Sequence, residues 1–162
     1  MEKGYKKVTP KDVFITATKA DELKWRVDNG AVMKNRPSGN EFMDKMVHLM
    51  SIYMMQKTCF YEKELGLERG GLNQMTVLYS GMSFRDWRNQ YVMLAAKELL
   101  VVTDAGLNDI GKRLGFSGIS TFSRWFSRLE NYQPIYWRQS AKHHRQQEDD
   151  KAFLEWKRAQ EL

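Results

Sequence analysis

One cysteine, Cys59, stands in a chain of 162 residues, so no internal disulfide exists to mark an oxidising compartment. With Phe60 and Tyr61 beside it, the thiol is expected to be a small buried apolar group rather than a nucleophile. Proline is equally scarce, at Pro10, Pro37 and Pro134, and alternating strand-like patterning is nearly absent. No apolar run is long or clean enough to span a bilayer. Basic residues open the chain at Lys3, Lys6 and Lys7, but no apolar stretch follows them. A secretory signal is therefore not expected, and the protein should stay in the cytosol. Metal chemistry lacks ligands too. His48 has no second ligand at helical spacing, and His143 and His144 are adjacent, about 100° apart on a helix. No Gly-rich phosphate loop and no catalytic triad is evident, and Glu148-Asp149-Asp150 reads as a solvated charge run. Neither an enzyme nor a cofactor-dependent protein is expected.

What the chain does have is helical spacing and a modest excess of positive charge. The net charge is +6, and residues 111–138 alone carry +4 through Lys112, Arg113, Arg124, Arg128 and Arg138 against Glu130. A basic stretch of this kind suits a polyanionic partner. The last 24 residues hold five basic and five acidic side chains and net zero.

The pattern predicts an all-α fold. Residues 1–39 form an appendage too short for an independent effector domain. Thr9-Pro10 starts a helix with Val13, Ala17, Ala20, Leu23 and Val27 on one face, and Asn29-Gly30 ends it. Residues 40–83 hold a helix to about Lys57 with Phe42, Met46, Leu49, Met50, Tyr53 and Met54 inward. Two shorter helices follow, 59–65 with Thr58 as cap and 70–79. Ser83 caps a linker helix over 84–101, whose 18 residues span roughly 27 Å. Residues 102–140 repeat the short-helix grammar: 107–114, a turn at Gly115, a helix over 118–129 capped by Ser117, and a last short helix from Pro134 to Arg138. Leu65-Gly66 matches Leu114-Gly115, and Gly81 matches Asn131, 49 and 50 residues apart. The spacing therefore reads as two copies of a homeodomain-like helix-turn-helix unit joined by the linker helix. The tail, 141–162, is polar apart from Phe153, Leu154 and Trp156, which are expected to dock on the domain.

In a helix-turn-helix the second helix lies in the major groove. Ile110, Leu114, Phe116, Phe122 and Phe126 are expected to be buried in the second unit. Ile119, Ser120, Ser123 and Arg124 then face outward as candidates for base contact, since Arg reads guanine bidentately and Ser reaches base or phosphate. Lys112, Arg113, Ser117, Arg128 and Arg138 are candidates for phosphate contact. A strut of roughly 27 Å could hold two recognition helices over successive major-groove faces about 34 Å apart. A monomer would then read an asymmetric site on double-stranded DNA.

The run from Asp109 to Leu129, followed by Pro134 and Trp137-Arg138, resembles the signature of the AraC/XylS transcription regulators. It carries that family's "GF-S-x-x-S-x-F-S-R-x-F" core as Gly115, Phe116, Ser117, Ser120, Phe122, Ser123, Arg124 and Phe126. The earlier run from Glu64 to Met75, with Gly81-Met-Ser-Phe-Arg-Asp-Trp, is similar to the family's first unit. The resemblance spans about residues 42–140. It implies a seven-helix DNA-binding domain, sequence-specific binding at bacterial promoters, and base contacts by Ile119, Ser120, Ser123 and Arg124, with Asn73 and Gln74 in the first unit and Arg69 on phosphate. RNA polymerase or a sensor protein would be the protein partners. Two departures stand out. Gly70-Gly71 replaces better helix formers, at roughly 2 kcal/mol for two glycines, and Thr76 stands where the family buries an aromatic residue. The first unit is therefore expected to bind weakly or to serve something other than base reading. The alternative function is a degenerate regulator acting as a protein-interaction module.

Overall fold

The computed structural model describes residues 6–15 and 35–161. Among these are eight helices and no strand beyond one isolated bridge: α1 (Pro10–Val13), α2 (Glu41–Tyr53), α3 (Thr58–Glu64), α4 (Gly71–Ser80), α5 (Phe84–Val102), α6 (Leu107–Arg113), α7 (Ile119–Glu130) and α8 (Pro134–Gln160).

The centre of the molecule is α5. Ser83 caps it by accepting from the Asp86 N–H at 3.1 Å. Its buried residues, Phe84, Trp87, Tyr91, Val92, Ala95, Ala96, Leu99 and Leu100 among them, run around the helix rather than along one stripe. A helix apolar on several faces must be covered on several faces. α4 packs at its N-terminal end, where Tyr61 of α3 also stands edge-on to Phe84, α1 lies along it, and α6 and α8 pack near its C-terminal end. Its 19 residues make a strut of about 28 Å.

The N-terminal segment departs from the expected amphipathic helix. α1 lasts one turn, held by a capping box in which Asp12 Oδ2 accepts from the Thr9 N–H at 2.9 Å and the Thr9 hydroxyl at 2.8 Å. Phe14 turns extended, bridges antiparallel to Asn35, and sets its ring edge-on to Tyr91. The Tyr91 hydroxyl donates to Asn35 Oδ1 at 2.7 Å. This tertiary pairing ends the helix at Val13. The expected positions Ala17, Ala20, Leu23, Val27 and Asn29-Gly30 lie outside the described residues. Val8 and Val13 belong to the main core, and Trp87 Nε1 donates to the Val8 carbonyl at 2.9 Å. The described residues 6–15 thus contribute Val8 and Val13 to the main core.

The tail also departs from expectation. The short last helix does not stop at Arg138. It continues without a break to Gln160, 27 residues or about 40 Å. Its first turns are tied back to α5: Arg138 Nε donates to the Leu100 carbonyl at 2.9 Å, and Lys142 Nζ donates to the Thr103 carbonyl at 3.0 Å. Beyond that, Phe153, Leu154 and Trp156 do not dock. They are 60%, 53% and 59% exposed, with Phe153 and Trp156 stacked on each other. No proline or glycine interrupts 135–161, so helix propensity carries the chain outward past the point where packing ends. Cys59, expected to be buried, is exposed on α3, because its neighbours Tyr61 and Phe60 face the core instead.

Trp87→Phe removes the bond to Val8 and puts a smaller ring in a fully buried site. Urea unfolding should show a loss of about 1–3 kcal/mol, from the buried carbonyl left unpaired and the space left behind.

Candidate nucleic-acid interface

The second unit is built on aromatic packing. α7 buries Phe122, Trp125 and Phe126 against Ile110 and Leu114. Phe116, in the turn, lies 5.5 Å from the Phe122 ring and 5.1 Å from the Trp125 ring. Two glycines make this close approach feasible. A Cβ on Gly111 of α6 would sit 3.0 Å from the Phe122 Cβ, and Gly115 turns the chain at φ +86. Ser117 is not the cap expected of it. Gly118 occupies that position in extended backbone, Asn108 of α6 accepts from the Ile119 N–H at 3.2 Å, and the Ser117 hydroxyl lies 3.1 Å from Thr121 Oγ1. The start of α7 is thereby pinned to its supporting helix.

With the aromatic face inward, Ser120, Thr121, Arg124 and Arg128 are exposed, and Ser123 is half-buried beside them. Ile119 is exposed at the first turn. Lys112 is exposed at the end of α6, and Arg113 is half-buried. Sequence spacing missed Thr121, whose hydroxyl also donates to the Gly118 carbonyl at 3.0 Å. Arg138 stands apart from this surface. It is half-buried, with Nε on Leu100 and Nη2 on the Thr103 carbonyl at 3.3 Å, so its donors satisfy the end of α5. Burial lowers its pKa and Asp104 opposes that shift.

The first unit has the same arrangement with different fillings. α4 buries Leu72, Thr76 and Ser80. Leu72 and Thr76 hold the places of Phe122 and Phe126, 50 residues on, so Asn73 corresponds to Ser123 and Gln74 to Arg124. Both Asn73 and Gln74 are exposed, as is Arg69 two residues before α4. The Asn73 carbonyl oxygen already accepts from the Phe84 N–H at 3.0 Å, leaving its amide NH2 for a ligand. Val77 and Leu78 are 45% and 52% exposed on the same helix, a feature the polar motif gave no reason to expect. Over residues 62–89, four basic side chains balance four acidic ones, in contrast to the basic second unit. Among the described residues, no group of three His, Cys, Asp or Glu is placed to hold a metal ion, and no helix is long and apolar enough to cross a membrane.

Comparison with known proteins agrees with this geometry. A family described as "Helix-turn-helix domain" matches residues 61–140. The C-terminal domain of the two-component response regulator yesN from Fusobacterium nucleatum is 22% identical with a TM-score of 0.55, over 61% of this chain and 99% of that one. A transcriptional regulator from Chromobacterium violaceum, of the AraC-type DNA-binding domain-containing proteins, is 23% identical with a TM-score of 0.51, over 60% and 89%. The DNA-binding domain of AdpA, solved with a target DNA, is 17% identical with a TM-score of 0.57, over 65% and 96%. No curated protein matches the chain by sequence. The chain carries an AraC-type helix-turn-helix domain.

Within this AraC-type domain the two departures of the first unit have structural reasons. Gly70 is not a helical residue. It is the N-cap of α4 in left-handed backbone, φ +85, where glycine fits best. Only Gly71 pays a helix-propensity cost, so the penalty is about 1 kcal/mol rather than the 2 expected for the pair. Glu62, buried on α3, takes the place of a capping side chain: its Oε2 accepts from the Gly70 N–H at 2.7 Å and the Leu72 N–H at 3.4 Å. A carboxylate suits the positive end of the α4 dipole. Thr76 is fully buried, donates to the Leu72 carbonyl at 2.7 Å and lies 3.8 Å from the Met46 sulfur. The space an aromatic ring would take is filled from α2 by methionine, which adapts to irregular gaps.

Gly71→Ala should stabilise the protein by up to about 1 kcal/mol, because the new Cβ meets only Leu67 at 3.5 Å. Gly70→Ala should destabilise it by roughly 1–2 kcal/mol through left-handed strain. Thermal unfolding of the two variants checks the contrast.

Proposed function

We propose that this protein is a sequence-specific, double-stranded DNA-binding transcription regulator of the AraC type, placing α4 and α7 in adjacent major-groove segments as a monomer. The observation that carries the reading is α7. Its aromatic side is locked into the core, its first turn is pinned by Asn108, and Ser120, Ser123 and Arg124 stand on its outer side with Arg128 one turn on. A rigid helix with short polar groups and arginines outward suits base-edge readout. The strut of about 28 Å between the units agrees with the roughly 34 Å between successive major-groove faces.

The two units divide the labour. Lys112, Arg113, Ser117 and Arg128 supply phosphate contacts around α7. Arg69 does so for α4, where charge otherwise balances. Gln74, the Asn73 amide and the exposed Val77 and Leu78 suit an A·T-rich half-site, since Gln and Asn pair with adenine and apolar groups meet the thymine methyl. Arg138 is better assigned to structure than to phosphate. A cytoplasmic location and contact with RNA polymerase or a sensor protein would accompany this role.

Selection of bound sequences from a random duplex pool should return an asymmetric site with one sharply defined half. Arg124→Ala should cost about 1–3 kcal/mol and relax the preference at one or two positions of that half. Lys112→Ala should weaken all sequences alike and reduce the salt slope by about 0.9. A pool that shows no enrichment at low salt would contradict the proposal.

A further inference from the structure

The two units meet through main chain as well as through α5. Residues 54–57, between α2 and α3, run through the meeting point, and three consecutive residues there are tied to three different elements. The Met54 carbonyl accepts from the Tyr61 hydroxyl of α3. The Met55 N–H donates to the Leu114 carbonyl, in the turn of the second unit, at 2.9 Å. The Gln56 carbonyl accepts from Arg88 Nη1 of α5 at 2.8 Å, and that guanidinium lies over the Phe84 ring at 5.9 Å. Met54 itself sits at φ 53 and ψ −119, a conformation an L residue rarely adopts and one that persists where its surroundings impose it.

The turn glycines of the two units differ at this seam. Gly66 and Gly115 both have positive φ, +67 and +86, so both turns need glycine for their backbone hand. A Cβ on Gly66 would meet nothing within 4 Å. A Cβ on Gly115 would lie 2.7 Å from the Met55 carbonyl oxygen and 3.1 Å from the Met55 nitrogen. Gly115 is therefore held to glycine twice, once by its turn and once by the other unit's backbone.

We propose that this backbone seam, together with α5, fixes the separation and relative orientation of α4 and α7, and that Gly115 and Arg88 are positioning residues for the half-site spacing the protein accepts. The proposal rests on the two-site reading above. α5 itself holds the second unit at several points, with Trp125 Nε1 donating to Asn89 Oδ1 at 3.4 Å, Glu130 2.9 Å from Lys97, and Arg138 on the Leu100 carbonyl. The seam adds a direct backbone contact between the two units, off the strut axis, at the turn that leads into α7. A one-base-pair change in spacing rotates one half-site by roughly 35° relative to the other, which a locked pair cannot follow.

The test compares Gly115→Ala, Arg88→Met and Gly66→Ala with the wild type. Binding is measured to the selected site and to sites with one base pair inserted or removed between the halves. The wild type and Gly66→Ala should discriminate against altered spacing by about tenfold, and Gly115→Ala and Arg88→Met should fall to about twofold. Simple destabilisation lowers affinity for every spacing alike and leaves the ratio unmoved. Gly66→Ala carries the same backbone strain without touching the seam, and Arg88→Met keeps the test alive if Gly115→Ala does not fold. Residual dipolar couplings of α4 and α7 in DNA-free protein give a second readout. One alignment tensor should fit both helices in the wild type and fail in the seam variants. Unchanged spacing ratios and a single tensor in both seam variants would overturn the proposal, as would Gly66→Ala broadening the spacing preference as much as Gly115→Ala. If the wild type prefers no DNA sequence, the two-site reading fails, and the couplings still decide whether the seam locks the units.

Discussion

Everything in this molecule depends on the burial of α5. A helix with Trp87, Tyr91, Val92, Ala96 and Leu100 all inside cannot face solvent on any broad side. Each unit of the domain completes its own core by donating a face to it. The first unit covers Phe84, the N-terminal segment covers Trp87 and Tyr91, and α6 and α8 cover the C-terminal end. The strut is stiff because it is covered, and α4, packed on its N-terminal part, and α7, tied to its middle through Asn89 and Lys97, inherit that stiffness.

α4 and α7 have the same placement within their units and unlike chemistry. α7 is anchored by large rings, which fix its axis closely and leave arginine and serine on the far side. α4 is anchored by Leu72, Thr76 and Ser80, with methionines of α2 filling the volume. Its N-terminus is occupied by the Glu62 carboxylate. An anion there satisfies the helix dipole from within and competes with a backbone phosphate for the same amides. The net balance of charge around α4 points the same way. In the proposed role, the second unit would supply most of the electrostatic grip, and the first would read adenine and thymine edges through Asn73, Gln74, Val77 and Leu78.

Much of this was legible in the sequence. Periodicity located α3 to α7 to within a residue or two, because Ser83, Gly81, Gly66 and Gly115 punctuate them with strong local chemistry, whereas α2 stops at Tyr53, four residues short of the expected end, where Met54 takes a positive φ. The buried set of the second unit was legible for the same reason: Ile110, Leu114, Phe122 and Phe126 fall at helical spacing next to a glycine turn. What was not legible came from contacts distant in sequence. Nothing local announces that Phe14 will leave its helix to pair with Asn35, that Glu62 will cap a helix beginning nine residues on, or that the donors of Arg138 will go to α5. The tail failed in the opposite direction. Phe153, Leu154 and Trp156 looked like a docking face, but local propensity extended the helix beyond anything they could dock against. Gly70 shows the limit of propensity scales: a residue that looked like a flaw in a helix is the left-handed position that begins it.

The central claim is that one chain presents two recognition helices to one side of a duplex. Hydroxyl-radical and base-methylation footprinting on a selected DNA site tests it most directly. The account predicts two major-groove segments protected on the same face, about 10 base pairs apart, with base-specific protection stronger under α7 than under α4. Protection of a single segment, or of two segments on opposite faces of the duplex, would contradict it.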